Sequence, residues 1–384
     1  MKVLVSCVPQ TGHILPLVPL AQAFAERGDE VVVASGPNAA GLIGRGLSFQ
    51  AVGPSLDSWF AALRERTRGM PGDGLAPSRV ESYFVPRLFG EIGTAVIVDD
   101  LLALCKELKP GLIVFDPYLF AAPLVAALTG TAAVLHTIGP LMDQSVLELV
   151  ADAVSPIWRE FGMDVPPAAG VHAGSTLTIC PASLDRAAVG IQAAQPLRPV
   201  ALPTASAPLA TSFAKASQPL VYVTLGTFSN NDLDLFDLVL NAFEDEPVNV
   251  LATIGKDNDP SKLPVPVNAH VERYIPQSEV LPHCSAVVHH AGAGTMFGVL
   301  AHGLPSLVLP QSADNFKNAS LLERAGAAEV LMPEDVNPSA LRRGLRRVLE
   351  LTSYRQSARL IAEEISSMPS PGEVAGQLGG GAAL

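Results

Sequence analysis

The chain has 384 residues, 48% of them hydrophobic, and a formal net charge of −12 from 37 acidic and 25 basic side chains. That length suits two domains, each with a sizeable core. The acidic balance argues against nucleic acid or an anionic membrane as a partner, since neither is drawn to it electrostatically, and an anionic small substrate would have to be held by local dipoles.

The four cysteines, Cys7, Cys105, Cys180 and Cys284, form no CxxC pair, and each lies in or beside an apolar segment. Buried free thiols in a reducing compartment are expected. The apolar run after Lys2 ends at Val8, too short for a signal-peptide core. The most apolar region, residues 112–138, is interrupted by Asp116, Pro117, Pro123, Gly130 and His136 and reads as strand–helix–strand rather than a membrane span. A cytoplasmic protein with no membrane contact is the expectation.

Residues 3–8 read as a buried strand, and 9–12 as a turn. Leu17, Leu20, Ala21 and Phe24 recur at helical spacing, with Gly28 as the stop, and 30–34 is the next strand. This is a βαβ unit, hence a parallel sheet with a right-handed crossover. No G-x-G-x-x-G follows the first strand, which disfavours NAD or FAD. Residues 54–95, with Pro71, Gly72 and Gly74, read as irregular. The pattern resumes with a strand at 111–115, a helix at 118–128 and a strand at 132–135. Pro, Ala, Ser and Thr then dominate residues 196–219, which reads as a linker.

A second series follows: strand 220–224, helix 233–243, strand 248–254, a strand ending at His289, helix 295–301, strand 306–309, and helices after Asp314 and Pro338. A last helix at about 354–368 precedes a glycine-rich tail. The expected fold class is α/β, two facing Rossmann-like doubly wound domains with an interdomain cleft. The domains are 1–200 and 219–367, with a linker at 201–218 and a tail at 368–384. Ligands in such sheets sit outside the carboxyl ends of strands.

Two turns carry candidate chemistry. Val287-Val288-His289-His290 opens into Ala291-Gly292-Ala293-Gly294-Thr295 at a helix start, where backbone N–H groups and the helix dipole favour an anion such as phosphate. In the other half Gly12-His13 occupies a similar turn. A neutral imidazole there can take a proton near pH 7, or it is a helix-start histidine without a task. Asp116 ends the strand 112–115 on the same sheet edge. It can fix the tautomer of His13 or cap the following helix. Gly226-Thr227 can meet a phosphate or form an ordinary turn. His289 and His290 point to opposite faces of a strand and are not expected to grip one metal ion. Asp232-Leu233-Asp234 and Asp257-Asn258-Asp259 have carboxylate spacing, but helix capping and solvation account for both.

Taken together, these residues resemble the inverting nucleotide-sugar glycosyltransferases with two facing Rossmann-like domains (GT-B, family 1). The resemblance is to the bacterial natural-product members, related to the plant UDP-glycosyltransferases. It runs through Gly12-His13-Ile14, Pro16, Leu20-Ala21 and Asp116 in the first half. In the second half it runs through Thr224-Leu225-Gly226-Thr227, Tyr274-Ile275-Pro276-Gln277, His290 to Thr295, Pro310-Gln311 and Asp314-Asn315.

The resemblance implies His13 as general base and Asp116 as its partner. It implies Tyr274 stacked on the nucleobase, Ile275 and Gln277 beside the nucleoside, and His290 with Gly292, Ala293, Gly294 and Thr295 on the diphosphate. Gly226 and Thr227 would lie against phosphate, and Asp314 and Asn315 against the sugar. Ala291 replaces a frequent glycine, Asn315 stands where many members have Gln, and Tyr274 replaces Trp or Phe.

The co-substrates implied are a UDP- or TDP-sugar and a small hydrophobic acceptor that receives the sugar on a hydroxyl or on a carbon, with no cofactor and no metal, in a monomer or homodimer. Trp59, Phe60, Tyr83, Phe84, Phe89 and Met142, with Leu141 and Trp158, would suit a flat, greasy acceptor or serve as core. A sugar-nucleotide epimerase or hydrolase on the same fold, or a non-catalytic binding relative, are the alternatives.

Overall fold

The apolar runs of the sequence become strands of two parallel sheets, one in each half of the chain. The computed structural model describes residues 1–44, 46–67, 75, 77–185, 191, 194–201, 217–226, 233–312 and 314–380. The chain divides into two units, residues 1–200 with 368–384, and residues 201–367.

Among the described residues the first unit holds seven strands: β1 (Lys2–Ser6), β2 (Glu30–Ser35), β3 (Ser48–Ala51), β4 (Leu112–Phe115), β5 (Ala132–His136), β6 (Ser175–Thr178) and β7 (Ala194–Pro196). Their order is β3-β2-β1-β4-β5-β6-β7, with every pair parallel. A parallel sheet is covered on both faces, which is why β4 is buried at all four positions. The order reverses between β1 and β4, so the loops leaving those two strands diverge and open a crevice.

The second unit repeats the plan with β8 (Leu220–Thr224), β9 (Asn249–Thr253), β10 (Ala269–Glu272), β11 (Ala286–His289), β12 (Ser306–Val308) and β13 (Ala328–Val330), in the order β10-β9-β8-β11-β12-β13. All its pairs are parallel. Here the reversal lies between β8 and β11. Sequence periodicity misses β3, β6, β7, β10 and β13. These are three or four residues long, and β3 and β7 are edge strands left half exposed, without an apolar run to announce them.

Two expectations need correction. Residues 54–95 are helical in large part: Leu56–Thr67, Pro77–Phe84, a π-helix Val85–Gly93, and then Thr94–Leu108. Trp59 and Leu63, four apart, bury one face of the first of these. The tail also holds a helix, Pro371–Gly379, which joins the first unit against the helix Val18–Glu26. Its start carries a capping box: Ser370 Oγ accepts from the Glu373 N–H, and the Glu373 carboxylate accepts from the Ser370 N–H at 2.7 Å. The signal was legible as Ser370-Pro371-Gly372-Glu373. The helix before it is Thr352–Ser367.

The first core is built around Trp59, Phe115, Phe120 and Trp158, and the second around Phe236, Phe243, Val288 and Leu345. All four cysteines are free and buried. Among the described residues no helix is long and apolar enough to cross a membrane.

Removing the tail cap by Ser370→Ala should cost about 1 kcal/mol of local stability. Amides of residues 371–379 should then exchange about fivefold faster, while those of β4 should not change. A second prediction concerns His136, His289 and His290. Burial pushes their pKa values down from 6.5 to about 4, about 3 and about 4. All three are neutral when folded, so below pH 6.5 only the unfolded chain takes up the extra protons, and stability falls with pH. The loss should be roughly 1 kcal/mol for each histidine between pH 6.5 and 5.5, read as a lower urea midpoint. A midpoint independent of pH over that range would contradict the neutral buried state.

Candidate functional site

In the first unit the site is built where β1 and β4 end. The chain leaves β1 through Cys7 to Gln10, and the short helix Thr11–Ile14 presents His13, which is 8% exposed. Asp116, directly after β4, is fully buried. The Val8 N–H donates to Asp116 Oδ2 at 2.6 Å, and the Tyr118 N–H donates to Oδ1 at 2.7 Å. His13 Nδ1 lies 3.3 Å from Oδ1.

Two backbone donors therefore hold the carboxylate in place, facing Nδ1 of His13; a proton on Nδ1 directed to it would leave Nε2 as the acceptor nitrogen. Capping is not the role of Asp116, because the following helix, Ala121–Thr129, has Phe120 at its N-cap. The buried anion also reaches its neighbours. Burial first, and the Asp116 charge second, push the Cys7 thiol far up. His136, whose Nδ1–H donates to the Thr137 carbonyl at 2.7 Å, is held neutral by burial, while Asp116 pulls weakly the other way.

In the second unit the site lies where β8 and β11 end. His289 is fully buried. It accepts from the Ala291 N–H at Nδ1, 3.1 Å, and its Nε2 meets Ser306 Oγ at 3.0 Å. Between two glycines stands His290. A Cβ on Gly226 would approach its Cε1 to 2.4 Å, and one on Gly292 would approach its Nε2 to 2.3 Å. Both positions are therefore held to glycine, and Gly226 also has φ +79°. Burial keeps His290 neutral, only partly offset by the Thr224 carbonyl, and its Nδ1 makes no hydrogen bond.

The helix begins at Ala293, two residues earlier than periodicity predicts, and its N-cap Gly292 has no side chain to bond the first turn. The first intrahelical bond runs from the Met296 N–H to the Gly292 carbonyl. The N–H groups of Ala293, Gly294 and Thr295 thus have no intrahelical acceptor, and an anion fits there.

Ala291, where a glycine is common, adopts φ +66°. Its conformation is held from both sides: its N–H bonds His289, and its carbonyl accepts from Asn318 Nδ2 at 2.9 Å. The same Nδ2 donates to Asp314 Oδ2 at 2.9 Å. Asn318, one helical turn after Asp314, is a residue that sequence reasoning missed. So are Tyr118 and Val8, whose contributions are backbone N–H groups invisible to a search for side chains.

The remaining candidates divide. Gln277 Nε2 donates to Thr295 Oγ1 at 2.9 Å, which ties the Tyr274 segment to the helix start. Tyr274 is half exposed, with the Lys256 ammonium 4.5 Å over its ring, and Ile275 packs on a small core cluster. Asp314 lies at the N-cap of the helix Asn315–Arg324. Asn315 is buried, with its Oδ1 accepting from the Ser312 N–H at 3.2 Å. Thr227 and Asp232 lie outside the described residues. Asp234 sits in the first turn of a helix, and Asp259 accepts from the Ser261 N–H at 3.1 Å. Among the described residues no three His, Cys, Asp or Glu side chains cluster as metal ligands.

Of the aromatics read as acceptor contacts, Trp59, at 1% exposure, is a core residue, as is Trp158. The indole of Trp59 fills the space over Gly93, where a Cβ would come within 2.6 Å of the ring, so it has no face to offer a ligand. Phe60, Phe84, Phe89 and Met142 are partly buried against the same core. Tyr83 packs on Phe84 and under the Arg87 guanidinium. Of this group Phe89 has its ring against His13.

A family model described as erythromycin biosynthesis protein CIII-like, N-terminal domain, matches residues 78–203, and its C-terminal counterpart matches residues 237–380. The chain is 31% identical over 402 residues to elloramycin glycosyltransferase ElmGT of Streptomyces olivaceus, covering 98% of this chain and 97% of the relative. It is similar to the crystal structure of the glycosyltransferase SnogD from Streptomyces nogalater, with a TM-score of 0.78, 27% identity and 99% of each chain covered. It is also similar to the structure of the glycosyltransferase VinC in complex with dTDP, with a TM-score of 0.79, 25% identity and 98% of each chain covered. By these matches the chain belongs to the bacterial natural-product glycosyltransferases, with two Rossmann-like domains of the GT-B type, and is a glycosyltransferase of antibiotic biosynthesis.

Proposed function

We propose that this enzyme moves a sugar from a TDP-linked donor to a hydroxyl of a small, apolar natural-product acceptor, with inversion at the anomeric carbon. The observation that carries the reading is the His13–Asp116 pair at 3.3 Å, with the carboxylate fully buried and held by two backbone donors. The similarity to VinC, whose structure holds dTDP, supports thymidine over uridine as the donor's nucleoside.

Nε2 of His13 takes the proton of the acceptor hydroxyl as its oxygen attacks the anomeric carbon. The bond from that carbon to the diphosphate oxygen breaks in the same displacement, so one C–O bond forms as the other is lost and the configuration inverts. Asp116 stabilises the imidazolium that results. The charge on the departing diphosphate is met by the N–H groups of Ala293, Gly294 and Thr295, the helix dipole and the neutral imidazole of His290. With those donors in place the reading assigns no step to a metal ion. The half-exposed Tyr274 ring offers a stacking face for the nucleobase, and Asp314 the polar group for the sugar. Phe60, Phe84, Phe89 and Met142 offer apolar surface for the acceptor.

His13→Ala should lower transfer by about 10²- to 10⁴-fold and leave dTDP affinity unchanged, measured by product mass spectrometry and calorimetry. Transfer at the wild-type rate would remove the base assignment. A chelator should leave the rate as it is, and inhibition reversed by Mg²⁺ would contradict the metal-independent displacement.

A further inference from the structure

We propose that Phe89 and Tyr118 are positioning residues that clamp the His13 imidazole and keep water from its reactive nitrogen, a role that rests on reading His13 as the base. Three rings meet at this point. The Tyr118 ring stands edge-on to His13, with centroids 5.1 Å apart and planes at 69°. Phe89 stacks beside His13 at 6.1 Å and 25°, and meets Tyr118 at 5.1 Å and 61°. Each separation lies in the range where aromatic pairs attract.

Tyr118 acts on both members of the pair, with its N–H on Asp116 and its ring on His13. The imidazole is thus fixed on one nitrogen by the carboxylate and along its faces and edges by two rings. That explains why it is only 8% exposed although it stands on a four-residue helix at the end of a strand.

The clamp depends on an unusual stretch of backbone. Phe89 lies in the π-helix Val85–Gly93, between α-helical Pro77–Phe84 and Thr94–Leu108. Closure from i to i+5 turns each residue less about the axis than in an α-helix, and such segments occur often at functional sites. An uninterrupted α-helix would carry residue 89 to another face. The support behind Phe89 is Trp59, whose ring stands edge-on to it at 6.2 Å and rests on Gly93. Leu88 and Ile92, on the same π-helix, are core residues. Phe89 itself is only partly buried, as a wall facing the base requires.

A fixed, dry base favours attack by the bound acceptor over attack by water. The test compares wild type with Phe89→Ala, Phe89→Leu and Phe89→Tyr, each checked for folding by circular dichroism. In Phe89→Ala, kcat for transfer should fall about 10- to 100-fold with the dTDP Kd unchanged. Acceptor-independent release of dTDP should take a larger share of donor turnover, and Phe89→Tyr should restore both values. His13 should also react several-fold faster with diethylpyrocarbonate in Phe89→Ala, mapped by mass spectrometry. Phe89→Leu should fall between, which keeps the test open should the alanine variant not fold.

The labelling rate does not depend on turnover. Faster labelling shows that Phe89 shields the imidazole, whereas transfer at the wild-type rate in His13→Ala removes the base assignment and the clamp's catalytic role with it. Unchanged labelling and unchanged partition in folded Phe89→Ala and Phe89→Leu overturn the clamp and leave the base assignment standing.

Discussion

In a sheet whose strands all run parallel, every carboxyl end lies on one edge, and where the strand order reverses two neighbouring loops turn away from each other. Both units of this chain obey that constraint, between β1 and β4 in the first and between β8 and β11 in the second. The histidine–aspartate pair and the glycine-rich turn lie at those two reversals. His13 and Asp116 follow β1 and β4, while Gly226 and the turn His290 to Thr295 follow β8 and β11. The same architecture carries different chemistry in each unit because the first loops carry a carboxylate and an imidazole, and the second carry glycines and a helix start.

The energetics of the two ends differ accordingly. A buried carboxylate is costly unless donors surround it, and Asp116 accepts from two backbone N–H groups besides His13. The charge that would orient the base is thus stabilised before any ligand arrives. The second end holds a neutral histidine in a slot only glycines can line. Its strained Ala291 is held by His289 and Asn318. Backbone donors are left there without an intrahelical acceptor, so on the proposed function that turn would be organised around a charge the ligand brings.

Much of this was legible in the sequence. Short apolar runs gave the central strands, and Gly12-His13, Asp116 and the histidine–glycine turn marked the loops that matter. What escaped had physical reasons. Edge strands such as β3 and β7 lack the buried run that periodicity detects. The helices over residues 56–93 were hidden by the prolines and glycines between them. Trp59 looked like ligand surface because an aromatic side chain reads alike in a pocket and in a core, and only its place over Gly93 decides for the core. Tyr118 and Val8 act on Asp116 through their backbone, which no residue type announces. Asn315 was legible only through the resemblance, and the bond of its Oδ1 to the Ser312 N–H depends on the fold.

The division of labour between the two ends is the central claim, and hydrogen exchange with and without saturating dTDP tests it most directly on the intact chain. Amides of residues 291–296 should gain protection while those of residues 8–14 and 116–118 exchange as before. Protection centred on residues 8–14 with none at 291–296 would put the diphosphate at the first end and contradict the account.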